Sequence, residues 1–594
     1  MKHLFGLTCL IVSFTTYAQN AAPCAGDVDT AGTGAAVSAA DEPIIISAAA
    51  YKHPGRVAGV VNSIAADSPA SSMRLAAMVM RLWPDTDDSA TARWTYEQGI
   101  TWKGLEGIWL NTGDARYFKY IQHQVDRLVD KEGNIRGYKP DEYDPGEVLC
   151  GRVLLMLYKV TGQEKYYKAA GRLRREGGAK GLYGGPGRHY LGLPFFAEYA
   201  ALFHENPVFT DITKQFVAVE RRVRDGKKGS SYRGWGDRAQ AWGRYGMALV
   251  DVLELYPVEY AGRDTLLAIL RRYAKDGVKV LDPAASSLFV YTLAKGVRLG
   301  YLPVSFLETA KKGYSGIEKK ALSADEDGQT NLEELGAFLL AASEMDVLAD
   351  RELGKGRTVL LDYYFNNEFH KDITGVNQRF HYIWGGMDNN GYSLWGHLFR
   401  QYGMVTDSLA VAPTAANLKK ASVYIIVDPD NEKESPAPNF IQSKDVAEIE
   451  SWVKAGGVLV LLGNDSANME FTHFNNLADK FGIHFNFDDY HKVTGSQFEM
   501  GAFTMTVHDD IFPATKKIYI KELSTLKLDG PARPHFADNG NVIMAVAKVG
   551  KGTVFAVGDP WFYNEYTDGR KLPADFENFN AARDLTQWLI RQAK

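Results

Sequence analysis

Four short stretches of this chain hold residue types suited to acid–base or binding chemistry on a polar organic ligand. Residues 94–103, WTYEQGITWK, carry Trp94, Tyr96 and Gln98. Residues 138–152, YKPDEYDPGEVLCGR, gather Asp141, Glu142, Asp144 and Glu147 just ahead of an apolar run. Residues 183–194, YGGPGRHYLGLP, are Gly-rich around Arg188 and His189, and residues 232–244, YRGWGDRAQAWGR, hold Arg233, Trp235, Asp237, Trp242 and Arg244. Neighbouring carboxyls suit general acid and base work, because one can stay protonated while another is ionised. Arginine and aromatic rings beside them suit a ligand with a carboxylate and a ring face. The same residues have plain structural uses. Acids ahead of a helix favour its N-terminal dipole, tryptophans fill cores, and a single histidine such as His189 is weak evidence for a site.

The elements that must position these groups are helices. Residues 104–121, GLEGIWLNTGDARYFKYI, and 151–170, GRVLLMLYKVTGQEKYYKAA, share one plan. Each has an apolar helical stretch, then Thr-Gly, a polar turn, and a second helix led by aromatics. A helix that stops at glycine and restarts a few residues later is an αα-hairpin, and its recurrence marks a helical repeat. Apolar residues recur at three- and four-residue spacing through 195–204, 241–256, 264–274, 286–299, 304–313 and 335–347, with Gly or Pro at the joins. About ten to twelve helices between residues 71 and 350, arranged as repeated hairpins, predict an α/α barrel or toroid, with an open solenoid as the alternative.

The pattern changes near Gly354. Apolar runs at 357–364, 422–427, 457–463 and 553–558 alternate with helical patterns at 393–402, 445–454, 473–482 and 581–592. That alternation predicts an α/β domain over 357–594, with a doubly wound, mainly parallel sheet. Asp428-Pro429-Asp430, Asn464-Asp465 and Asp559-Pro560 fall just past expected strands, where open sheets bind ligands. They read as turn and cap formers, since no nucleophile accompanies them. Asn464 stands where a glutamine-amidotransferase-like elbow needs a cysteine.

A formal net charge of −5, with no basic patch interleaved with aromatics, argues against a nucleic-acid partner. Residues 1–18, MKHLFGLTCLIVSFTTYA, read as a secretory signal cleaved after Ala18, so the protein is expected to be exported, in the periplasm or outside the cell. The apolar run is too short to span a membrane. Residues 19–70 read as a flexible small-residue segment. Cys24 and Cys150 read as independent thiols, no Cys or His spacing suits a metal, and no cofactor is expected. The oligomeric state is not written in the sequence.

Residues 93–350 resemble glycoside hydrolase family 105, the unsaturated rhamnogalacturonyl hydrolases. The resemblance is carried by WTYEQGITWKGLEGIWLNTGD, GRVLLMLYKVTGQEKYYKAA, PFFAEYA at 194–200, WGR at 242–244, MALVDVLELYP at 247–257 and SSLFVYTLAKGVRLGYL at 286–302. From about Arg357 the chain looks like the α/β domain of unassigned role that some members carry. The resemblance implies an (α/α)6 barrel over 71–350 that takes an oligosaccharide ending in a 4,5-unsaturated uronic acid, of pectin type, and hydrates its enol ether. It implies binding roles for Tyr96, Trp235, Trp242 and Arg244, and His189 is added from its loop. The chain departs from the family at its acids: Gly146 and Gly187 stand at the aspartate positions, and Arg233-Gly234-Trp235-Gly236 replaces a His-Gly-Trp-Asp segment. Asp144 and Glu147 are the nearest carboxyls left to act as the acid. The alternative is a catalytically impaired relative that binds carbohydrate or serves a structural purpose.

Overall fold

The computed structural model describes residues 70–84, 93–142, 144–181, 188–225, 239–276, 282–327, 332–506 and 509–593. The signal and residues 19–69 of the segment after it lie outside the described residues. The helical region contains α1 (Ser71–Leu82), α2 (Tyr96–Thr112), α3 (Ala115–Asp126), α4 (Pro145–Cys150), α5 (Arg152–Thr161), α6 (Glu164–Gly181), α7 (Leu193–Leu202), α8 (Pro207–Asp225), α9 (Ala239–Leu255), α10 (Gly262–Asp276), α11 (Pro283–Arg298), α12 (Phe306–Asp327) and α13 (Leu332–Leu348). Thr95 caps α2 by accepting from the Gln98 amide, and Gly113 closes that helix at φ 62°. Asp114 then caps α3, so the repeated Thr-Gly join is a helix stop followed by a new start.

These helices form two rings. α2, α4, α7, α9 and α11 each pack on the next, α11 packs on α13, and α13 returns to α2. α3, α6, α8, α10, α12 and α1 lie against the outside of that ring. The closed inner ring fits the expected α/α barrel and not an open solenoid. α4 and α5 together form one inner position, interrupted at Gly151. α2 and α13 come unusually close because α2 carries glycine where they touch: a Cβ at Gly104 would lie 2.6 Å from the Leu339 Cβ.

The sheet region holds β1 (Thr358–Asp362), β2 (Phe369–Lys371), β3 (Asn377–Arg379), β4 (Val405–Leu409), β5 (Val423–Val427), β6 (Val458–Leu462), β7 (Ile483–Phe485), β8 (Ala502–Thr504), β9 (Lys517–Tyr519), β10 (Leu526–Leu528), β11 (Ala532–Asp538), β12 (Asn541–Val549) and β13 (Gly552–Val557). The main sheet has nine strands, in the order β4-β1-β5-β6-β13-β12-β10-β7, with β11 also on β12. β4, β1, β5, β6 and β13 are parallel; β12, β11, β10 and β7 pair antiparallel. The sheet is therefore mixed where a mainly parallel one was expected. The antiparallel share begins at the β11–β12 hairpin, whose Asn539 and Gly540 both take positive φ, 48° and 85°, the geometry of a tight two-residue turn.

α14 (Ser393–Gln401) and α19 (Asn578–Gln592) pack into one apolar layer of the sheet, with Val359, Ile425 and Val460. α15 (Ala415–Leu418), α16 (Ser443–Ala455) and α17 (Phe471–Ala478) share the other, with Leu360, Tyr424 and Leu459. α14 meets α2, and Asp568, the residue that ends the short helix α18 (Asn564–Thr567), reaches the same helix near its C-terminal end. There the Trp109 indole donates to Asp568 Oδ2 at 2.9 Å, and a Cβ at Gly113 would fall 2.0 Å from the Phe579 ring. The sheet region thus covers one end of the barrel. Among the described residues no helix is long and apolar enough to cross a membrane.

Candidate active site at the barrel mouth

The inner helices run the same way, so their N-terminal ends gather at the end opposite the sheet region. Tyr96 opens α2, Arg244 sits near the start of α9, and Glu333 near the start of α13. The Arg244 guanidinium lies 4.3 Å from the Tyr96 ring centroid. Its Nε donates to Glu333 Oε1 at 3.1 Å, and its Nη2 donates to the same oxygen. Glu333 is buried at 7% exposure, so the guanidinium is held between a carboxylate and an aromatic face. Burial pushes the Tyr96 phenol far up, and the nearby guanidinium only partly offsets this. The phenol stays protonated, as a neutral hydrogen-bonding group.

Sequence reasoning picked out Tyr96 and Arg244 but missed Glu333. A glutamate in the first turn of a helix is the commonest of helix-start residues, and nothing in its local spacing tells which helix it faces. Tyr190 was also missed; its hydroxyl donates to the Ala241 carbonyl at 2.8 Å, tying the turn before α7 to the start of α9.

The two acids expected to carry the chemistry differ. Asp144 is exposed and caps α4, its Oδ1 accepting from the Gly146 amide at 2.6 Å. Glu147, one turn further, is half-buried, and its carboxyl is raised to about 7 by burial first, then by Asp144 and Glu142. It is therefore about half protonated in neutral water and able to give a proton. Neither charge of the Arg244–Glu333 pair is among the causes of that shift, so Glu147 answers to the 139–144 loop and not to that pair. Gly146 faces Tyr96: a Cβ there would lie 2.8 Å from the Tyr96 Cβ and 3.0 Å from Asp144 Oδ1. This packing leaves no room for a larger side chain at position 146.

Trp242, expected to bind ligand, is 1% exposed. One face stacks on Tyr273 at 4.2 Å, and Phe289 is 4.6 Å away. It belongs to the wall of the barrel, since apolar burial outweighed the binding geometry read from its neighbours in sequence. Trp235 and Gly187 lie outside the described residues. His189 falls in the short 3-10 turn Arg188–Gly192, with its side chain outside the described atoms.

Below the mouth the barrel axis is filled by charge. Asp251 is fully buried and pairs with Lys103 of α2, with Lys295 of α11 at 2.7 Å, and with Arg152 of α5 at 3.7 Å. Arg152 continues to Glu198 of α7 at 2.6 Å, and Arg298 of α11 reaches Glu344 of α13 at 2.6 Å. The three cations hold the Asp251 carboxyl well below the carboxylate range despite its burial. Every inner position of the ring contributes, so this network forms a floor beneath the mouth.

Residues 74–176 and 189–338 match the family model described as Glycosyl Hydrolase Family 88. Among solved structures, a family 105 glycoside hydrolase of C. acetobutylicum is 27% identical, covering 46% of this chain and 99% of its own, at a TM-score of 0.39. A family 88 glycosyl hydrolase from Bacteroides vulgatus is 15% identical, covering 47% and 99%, at 0.35. A possible family 105 member from Salmonella enterica is 16% identical, covering 49% and 99%, at 0.37. The family model thus lies over nearly the whole ring of helices, and this helical region of the chain is similar to Glycosyl Hydrolase Family 88.

Proposed function

We propose that the barrel mouth removes a terminal 4,5-unsaturated uronic acid from a pectin-type oligosaccharide, and that the protein works after export. Glu147 carries the reading: a half-buried carboxyl held at about 7 beside the mouth is protonated when substrate arrives and becomes a base once it has given its proton up. The Glu147 proton goes to C4 of the enol ether, leaving positive charge at C5. Water adds at C5 and its proton returns to the Glu147 carboxylate. The hemiketal so formed collapses and the remaining sugar leaves. Arg244 receives the uronate carboxylate through its guanidinium fork, which requires the substrate to take the place Glu333 holds, and Tyr96 lies under the same group.

Two observations favour the second reading, a relative that binds carbohydrate without turning it over. The aspartate position is Gly146, packed against Tyr96, and Arg244 is already neutralised by Glu333. A lyase-generated unsaturated disaccharide separates the two readings, because its enol ether absorbs in the ultraviolet. Loss of that absorbance with purified protein supports hydrolysis. Calorimetric binding with no loss supports the second reading.

A further inference from the structure

The three turns that the sequence offers as simple strand ends meet in one pocket. Asp428 follows β5, Asn464 follows β6 and Asp559 follows β13, three adjacent parallel strands, and all three residues line a cavity of about 220 Å³. Ligands in open α/β sheets gather at this edge. Two carboxyls there are built but unspent. The Tyr382 hydroxyl and the Asn464 amide both donate to Asp428 Oδ2, at 2.9 and 2.7 Å, while Asp428 Oδ1 is buried without a partner. Glu565, on α18, reaches Lys571 with Oε1 at 3.7 Å, and its Oε2 is likewise buried without a partner. Both residues are 5% exposed. Buried polar atoms left unmatched in a folded protein call for an explanation, and a ligand that completes them is one.

Backbone strain gathers here as well. Among the described residues seven non-glycine residues take positive φ, and four of them, His381, Tyr382, Asp428 and Glu522, line this pocket. Such conformations persist where the surroundings hold a side chain in a required direction.

The lining selects the chemistry of the occupant. Six carboxyl side chains line the pocket against one lysine, Lys521, which disfavours phosphate or uronate. Among the described residues no group of three His, Cys, Asp or Glu side chains is placed to hold a metal ion. Burial raises the Asp428 and Asp559 carboxyls well above their usual range, and those of Glu434 and Glu565 to about 7. A protonated carboxyl both donates and accepts, which matches hydroxyl groups better than it matches a cation. Tyr563 and Tyr566 add aromatic surface. The volume is below the roughly 300 to 1,000 Å³ of pockets for larger organic ligands, so it suits one ring.

We propose that this pocket of the sheet region binds an uncharged, hydroxyl-rich ring, a neutral monosaccharide or the end of a neutral glycan, separately from the barrel mouth. The test is saturation-transfer NMR on the full chain with galactose, rhamnose, glucose and xylose, with galacturonate as the acidic arm, and calorimetric titration with calcium chloride as the cationic arm. At least one neutral sugar is expected to bind, to weaken at least tenfold in Glu565→Ala, and to be unaffected in Arg244→Ala. Should Glu565→Ala lose its fold by circular dichroism, Lys521→Ala takes its place with the same expected weakening. Four outcomes overturn the proposal: no transfer to any of the four sugars, tighter binding of galacturonate than of any neutral sugar, saturable binding of calcium at the pocket, or binding that disappears in Arg244→Ala and persists in the pocket variant.

Discussion

Arg244 and Asp251 lie about two turns apart on one face of α9, and each meets a side chain of α2: Arg244 covers Tyr96 at the mouth, and Asp251 holds Lys103 below it. Two turns of helix rise about 10 Å, which separates the mouth from the floor along α9. The floor is ionic, and the mouth pairs an ion pair with an aromatic ring.

The floor is expected to be fragile when cut at its centre. Asp251→Asn leaves Lys103, Lys295 and Arg152 without the carboxylate they share, and breaking a buried pair on one side costs about 3 to 5 kcal/mol. Urea denaturation should show that loss. The exposed Glu308–Lys311 pair serves as the control, because surface pairs contribute about 0 to 1 kcal/mol. Equal effects in the two variants would contradict the central placement of Asp251.

Restoring an acid at Gly146 should not simply work. Gly146→Asp forces a Cβ to within 2.8 Å of the Tyr96 Cβ, and overpacking of this kind costs about 1 to 3 kcal/mol. Removing the neighbour's Cβ in Gly146→Asp/Tyr96→Gly relieves the clash, so the double variant should lose less than the sum of the two single changes. Additive losses would show that the two residues do not share that space.

Glu333 competes with an acidic ligand for Arg244. Glu333→Gln keeps the shape and removes the competing charge, so it should lower the KM for the unsaturated disaccharide while kcat stays within a few-fold. Arg244→Lys loses the planar fork and should raise KM about tenfold or more. A KM unmoved by either change would place the substrate carboxylate elsewhere.

Much of the fold was legible because its signals are local. The Thr-Gly joins at 112–113 and 161–162 are helix stops with glycine at positive φ, 62° and 66°, and apolar periodicity marked the inner helices. The mixed sheet was not read, although Asn539-Gly540 between two apolar runs is a strong short-range hairpin signal. The site was legible only in part. Tyr96 and Arg244 stand out by residue type, but their partner Glu333 comes from a helix far away in sequence, and ring closure alone brings it there. Trp242 shows the reverse error, since an aromatic beside arginine looks like a ligand platform until burial places it in the wall. Asp428, Asn464 and Asp559 look like ordinary turns singly, and parallel strand pairing is what gathers them.

Stability should carry the mark of Glu147 too. Its carboxyl is raised in the folded chain to about 7, above its ordinary value of about 4.3, so folding favours the protonated form. The penalty is absent below the ordinary value and grows as pH rises through about 7. Glu147→Gln should match the parent near pH 4 and exceed it in melting temperature at pH 8. A parent that gains on the variant as pH rises would contradict the raised value.

The most direct measurement is the pH–rate profile for loss of ultraviolet absorbance from an unsaturated disaccharide, in the parent chain, Glu147→Gln and Asp144→Asn. The parent rate should fall as pH rises through about 7, as the Glu147 proton is lost. Glu147→Gln should be slower by about two to four orders of magnitude, with Asp144→Asn within a few-fold of the parent because asparagine also caps a helix. An unchanged rate and profile in Glu147→Gln would contradict the assignment of Glu147 as the proton donor.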